Sequence, residues 1–136
     1  MAAVASLWLA LPAVAQPAFD AVGASTQIVN LLAQRTLDAA ADATSRLMEA
    51  TPAGKLKDTF HLVRGLGQSQ YVDLIYTRDY GRSEKDIIYK IEFDKAILFV
   101  RFLYHVDNGA WHLIHIYLNT EDDGPFPKDW THIYPK

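Results

Sequence analysis

Three histidines in the C-terminal part of this chain, His105, His112 and His115, are the residues nearest to a recognisable chemistry. Asn108-Gly109 lies between the first two and favours a two-residue type I′ turn. That turn pairs Asp107 with Ala110, Val106 with Trp111 and Tyr104 with Leu113, so His105 sits opposite His112 with Cβ atoms about 5 Å apart. Cross-strand histidines bind zinc when a third ligand or a carboxylate plus water completes the site. No HxH or HExxH spacing is present, and no carboxylate has obvious reach. The favoured reading is polar positions of an amphipathic strand pair, with no metal and no cofactor. With Arg101 and Tyr117, the three histidines form a candidate binding set on one sheet face.

The carboxylates point less clearly. Asp73 and Glu92 interrupt apolar strands, while Asp79, Glu84 and Asp86 flank a turn. A buried aspartate at the mouth of a curved sheet would suit a general base. Alternation instead places Asp73, Glu92 and Asp94 on solvated faces. Ser69, Ser83 and Thr77 lack the surroundings of an activated nucleophile. Gly65-Leu66-Gly67 follows a helical pattern and has no Lys-Ser/Thr continuation, so it is no phosphate loop. Tyrosines at 71, 76, 89, 104 and 117 lack basic neighbours in the pattern that base stacking requires, and read as sheet packing. A net charge of −3 leaves no electrostatic footprint for nucleic acid. The absence of cysteine excludes disulfides and thiolate chemistry.

The elements that must position these residues follow from periodicity. Apolar positions Ile28, Val29, Leu32, Leu37, Ala40, Ala43 and Leu47 share one helical arc, predicting one long helix from about Gly23 to Ala50 with Ser25 as its N-cap. Leu31 alone falls on the polar side. Leu56, Phe60, Val63 and Leu66 predict a short second helix stopped by Gly67. The period then becomes two, and strands are expected over Tyr71–Tyr80, Lys85–Asp94, Ala96–Val106 and Trp111–Asn119. Their joints permit only antiparallel neighbours, hence a curved four-stranded meander in an α+β fold. In the last strand strict alternation would turn Ile116 and Leu118 outward. One extra residue near Ile114, a β-bulge, repairs the parity. Ile97, Phe99 and Leu103 then share the outer face with the histidines. That is too apolar for water, and it calls for cover by the C-terminal tail or by a second copy in a homodimer.

The apolar run Ala2–Leu11, followed by Pro12 and Ala13-Val14-Ala15, is too short to span a bilayer and reads as a signal peptide cut after Ala15. No Lys or Arg precedes it, so either the true start lies elsewhere or the free amino group serves as the basic end. Residues 16–136 are then one periplasmic or secreted domain with no membrane insertion, its tail running over the surface from about residue 120, with Trp130 and Tyr134 pinning it.

Phe102-Leu103-Tyr104, the turn from Asp107 to Trp111, and Ile116 to Asn119 together resemble small exported bacterial proteins of the cystatin-like (nuclear transport factor 2-like) fold. The likeness covers roughly Ser25 to Asp122, with one extra residue between Gly109 and Trp111, and implies fold more than chemistry. The expected function is a non-enzymatic binding or protein-interaction module for an unknown small molecule or periplasmic protein. The alternative is a small cofactor-independent hydrolase or isomerase using a cavity between helix and sheet.

Overall fold

The structure, a computed structural model, describes residues 18–49 and 51–120. The expected signal peptide and C-terminal tail lie outside them. The described chain is α+β: three helices lie on one face of an open four-stranded antiparallel sheet. No described helix is long and apolar enough to cross a membrane.

The long helix expected from the sequence is two helices, α1 (Ala21–Ala33) and α2 (Leu37–Met48). Between them Arg35 takes a φ of +59°. The Arg35 N–H donates to the Leu32 carbonyl at 3.0 Å and the Thr36 N–H to the Leu31 carbonyl at 2.9 Å. These are the two bonds of a Schellman stop, with arginine in the left-handed position that glycine usually fills. Leu31, the misfit of the continuous pattern, now packs half-buried against the core. The break resets the helical phase.

The start of α1 also differs. Asp20 caps it by accepting from the Gly23 N–H at 2.9 Å. Ser25 lies inside the helix, buried, with its hydroxyl 2.7 Å from that of Tyr104. A serine in a first turn is a fair capping signal, but here a long-range partner uses it.

Helix α3 (Ala53–Phe60) continues as a 3-10 helix, His61–Leu66. Phe60, Val63 and Leu66 are three apart, and the tighter winding of about three residues per turn keeps them on one side. Phe60 and Val63 are fully buried. Gly67 ends the segment at a φ of +86°, and a Cβ there would lie 2.9 Å from the Asp94 Cβ. The Asp94 carboxylate accepts from the Gln68 N–H at 3.0 Å and the Gln70 side chain at 2.9 Å, and these bonds hold its pKa below the ordinary range. Gly67→Ala is expected to cost about 1–3 kcal/mol in denaturant unfolding, from left-handed strain plus a contact with little room to relax. A loss under a few tenths would show that the turn is not held as described.

The strands are β1 (Ser69–Tyr80), β2 (Glu84–Phe93), β3 (Ile97–Asp107) and β4 (Ala110–Asn119), neighbours in sequence order. Asn108 and Gly109 have φ of +50° and +77°, the signs a type I′ turn requires, and the pairs 107/110, 106/111 and 104/113 form as expected. Leu103 then pairs with His115, so Ile114 is the extra residue and the bulge is where parity put it. Ile116 and Leu118 return to the core side. Two irregularities in β1, at Gln70 and Ile75, had no such signal.

The core lies between the helices and one sheet face, built from Ile28, Leu32 and Phe60 against Ile87, Ile91, Leu98, Val100 and Phe102. The small side chains of Ala40 and Ala41, both fully buried, let α2 approach closely. Trp111, turned to the core side by its pairing with Val106, is half-buried at the core margin, with the Lys85 ammonium 5.8 Å above its ring.

Candidate binding face

Alternation along β2 turns Ile87, Tyr89 and Ile91 toward the helices and Asp86, Ile88 and Lys90 outward. Along β3 the outward set is Ile97, Phe99, Arg101, Leu103 and His105. No described helix packs on this face. Even so, Asp86 and Ile88 have no accessible surface, and Tyr76, which faces Ile88 from β1, is buried.

The centre of the face is an ion pair. Asp86 pairs with Leu103 across the ladder and Ile88 with Arg101, so Asp86 and Arg101 are diagonal neighbours. Arg101 Nε donates to Asp86 Oδ1 at 2.9 Å and Arg101 Nη2 to Asp86 Oδ2 at 2.6 Å. This is the fork-to-fork arrangement in which guanidinium and carboxylate match best. The hydrogen bonds to Asp86 hold the Arg101 pKa above the ordinary arginine value, against the opposing effect of burial. The Arg101 side chain keeps one-fifth of its surface accessible, 20%. Its guanidinium carbon is 5.8 Å from the centre of the Tyr117 ring, on which His115 stacks at 5.5 Å.

Tyrosine and arginine from β1 close the other side. Burial pushes the Tyr80 hydroxyl up to about 12, and the neighbouring Tyr76 hydroxyl and the Asp86 charge act in the same direction. The Arg78 guanidinium lies 4.8 Å above the Tyr80 ring. The face is thus a neutralised charge pair framed by aromatic rings. It is suited to recognition by shape and apolar contact, with Arg101 held in a fixed orientation.

Of the candidate residues, Arg101, His115 and Tyr117 come together as one cluster. His105 and His112 are opposite each other, as expected, but turn to different partners. His105 Nδ1 lies 3.8 Å from Glu84 Oε1, and His112 Nδ1 lies 3.3 Å from Glu49 Oε1 at the end of α2. Among the described residues, no three histidine or carboxylate side chains are grouped to hold a metal ion. Ile97 is 40% exposed, and Phe99 and Leu103 are half-buried. Sequence reasoning missed Asp86, weighed only as a turn-flanking acid, and the Tyr76–Tyr80 pair. The signal was present in the matching parity of Asp86 and Ile88, but its partner appears only once the β2–β3 register is known.

The opposite face holds polar groups of another kind. Thr26 Oγ1 is 2.6 Å from the Tyr89 hydroxyl, which also donates to the Val22 carbonyl at 3.1 Å. Tyr104 bonds to Ser25 as noted. Burial raises both tyrosine pKa values, that of Tyr104 to about 12. These neutral hydroxyls tie α1 to the sheet.

No protein-family model matches the chain, and no match was found among curated proteins.

Proposed function

We propose that the protein is a small exported interaction module of the cystatin-like (nuclear transport factor 2-like) class, acting in the periplasm as a homodimer through the outer face of its sheet. The observation that carries this reading is the composition of that face. An internally neutralised pair, buried Asp86 and part-exposed Arg101, lies beside buried Ile88 and half-buried Phe99 and Leu103, with Ile97 at the border. A face of this kind excludes water at its centre and keeps a polar rim, as protein interfaces do. The interior between helices and sheet supports binding over catalysis as well. Among the described residues, its buried hydroxyls, on tyrosine, serine and threonine, bond to one another or to helix carbonyls, while the buried carboxylate belongs to the other face. Three helices over an antiparallel meander support the cystatin-like assignment. The apolar Ala2–Leu11 run and the Ala13-Val14-Ala15 site support export.

The test is sedimentation of wild type and Phe99→Asp over a range of concentrations. Wild type is expected to dimerise, and the variant to raise Kd by roughly 10–100-fold, because an unpaired charge is placed in a desolvated contact. Its far-UV spectrum should be unchanged. Equal association of the two chains, or a wild type that stays monomeric at all concentrations, sinks the homodimer.

A further inference from the structure

We propose that β1, an edge strand of the sheet, pairs antiparallel with β1 of a second copy about a two-fold axis between Ile75 and Tyr76, so that two sheets become one. This contact uses the strand edge and does not rest on the outer-face dimer proposed above.

The order of faces along β1 carries the inference. Val72, Leu74, Thr77 and Asp79 take the helix side, since they pair with Ile91, Tyr89, Ile87 and Lys85. Tyr71, Asp73, Tyr76, Arg78 and Tyr80 take the outer side. Ile75, the extra residue of the bulge, packs with Tyr76 and Ile88 on that side too. From Tyr71 to Tyr80 the order of faces therefore reads the same in both directions. Residues directly opposed in an antiparallel pair share a face, and a regular strand meets that condition only with a dyad through a residue. Here the bulge moves the dyad to the midpoint of Ile75 and Tyr76. Tyr71 then meets Tyr80 of the second copy, Val72 meets Asp79, Asp73 meets Arg78, Leu74 meets Thr77 and Ile75 meets Tyr76. Each pair forms twice.

Charge selects the same register. The Asp73 side chain is 54% exposed, 3.8 Å from the Lys90 ammonium. Arg78 is exposed and lies over its own Tyr80 ring. A guanidinium has five N–H donors, so it can serve Asp73 of the second copy while keeping its own neighbours. A dyad through Asp73 or through Arg78 matches faces over only half of this stretch, and it sets like charges opposite each other. The strand also lacks the lysine and proline that commonly guard an edge, and it leaves Tyr71 62% and Leu74 46% exposed. A bulge usually spoils the register of an incoming strand. With the dyad running through it, each copy's bulge faces the other's.

The experiment exploits the absence of cysteine from the chain. Leu74→Cys and Thr77→Cys are made separately in the Phe99→Asp background, which weakens the outer-face contact, and each is oxidised alone and in an equal mixture. Position 74 lies opposite 77 of the second copy, whereas 74 and 74, or 77 and 77, are about 10 Å apart, too far for a disulfide. The mixture should therefore give about tenfold more disulfide-linked dimer than either variant alone. In the same background, Asp73→Arg should raise the Kd of the residual dimer by roughly tenfold, because two attractive contacts become repulsive, and adding Arg78→Asp should restore it. Far-UV spectra of all variants should match wild type. A mixture that cross-links no more than the single variants overturns the pairing, and so does a Kd that Asp73→Arg leaves unmoved. Cross-linking confined to the mixture, with Phe99→Asp associating as tightly as wild type, supports the edge contact and overturns the outer-face dimer alone.

Discussion

Arg101→Met is expected to destabilise the fold by about 3–5 kcal/mol in urea unfolding at neutral pH, far more than an ordinary surface substitution. Asp86 has no accessible surface, and its two oxygens accept from Arg101 Nε and Nη2 at 2.9 and 2.6 Å. Methionine fills much of the same volume, so lost packing is a small part of the effect. The large part is a carboxylate left in a dehydrated site without its counter-charge. The double variant Asp86→Leu/Arg101→Met separates these contributions. It removes both charges and should recover most of the loss, ending near wild type, since desolvation of the pair offsets much of its attraction. A single variant within about 1 kcal/mol of wild type would mean that water reaches Asp86 and that the pair does not organise the face. A double variant as unstable as the single would assign the effect to shape.

The same pair shows where sequence reading stops. The β3–β4 hairpin was legible because two local rules agree. Asn108-Gly109 fixes the turn and so the pairing, and the outward parity of Ile116 and Leu118 then forces an extra residue, which the structure places at Ile114. Nothing comparable fixes β2 against β3 from local residues alone, so the diagonal contact of Asp86 with Arg101 was hidden. The division of the first helix was hidden for a different reason. Its stop uses Arg35 at positive φ, where glycine or asparagine would have announced it, and its only trace was the misplaced Leu31. Alternation turns Trp111 to the core side, yet it is half-buried, because position in a strand says which face a side chain takes and not how far the helices cover that face. His105 and His112 were correctly placed opposite each other. Their divergence toward Glu84 and Glu49 depends on residues distant in sequence.

The inner face predicts an alkaline transition centred on Tyr104. Its hydroxyl is enclosed with Ser25, and burial, only partly offset by the Ser25 hydrogen bond, pushes its pKa up to about 12 from the ordinary 10.0. A phenol whose folded pKa is raised keeps its proton in the native state after the unfolded chain has lost it. Its contribution is therefore complete below pH ~10 and is lost as pH rises toward ~12. A displacement of about two pH units corresponds to about 2–3 kcal/mol. Tyr80, also pushed up to about 12, and Tyr89, raised by burial, act in the same direction. Tyr104→Phe isolates the share of one hydroxyl. At neutral pH it should cost about 1 kcal/mol, because the buried Ser25 hydroxyl loses its partner. Between pH ~10 and ~12 it should lose about 2–3 kcal/mol less than wild type, so the two stability curves cross. Urea midpoints measured across that range decide the matter. Parallel curves would show that Tyr104 ionises in the native state as it does in the unfolded chain, and that α1 does not seal it from solvent.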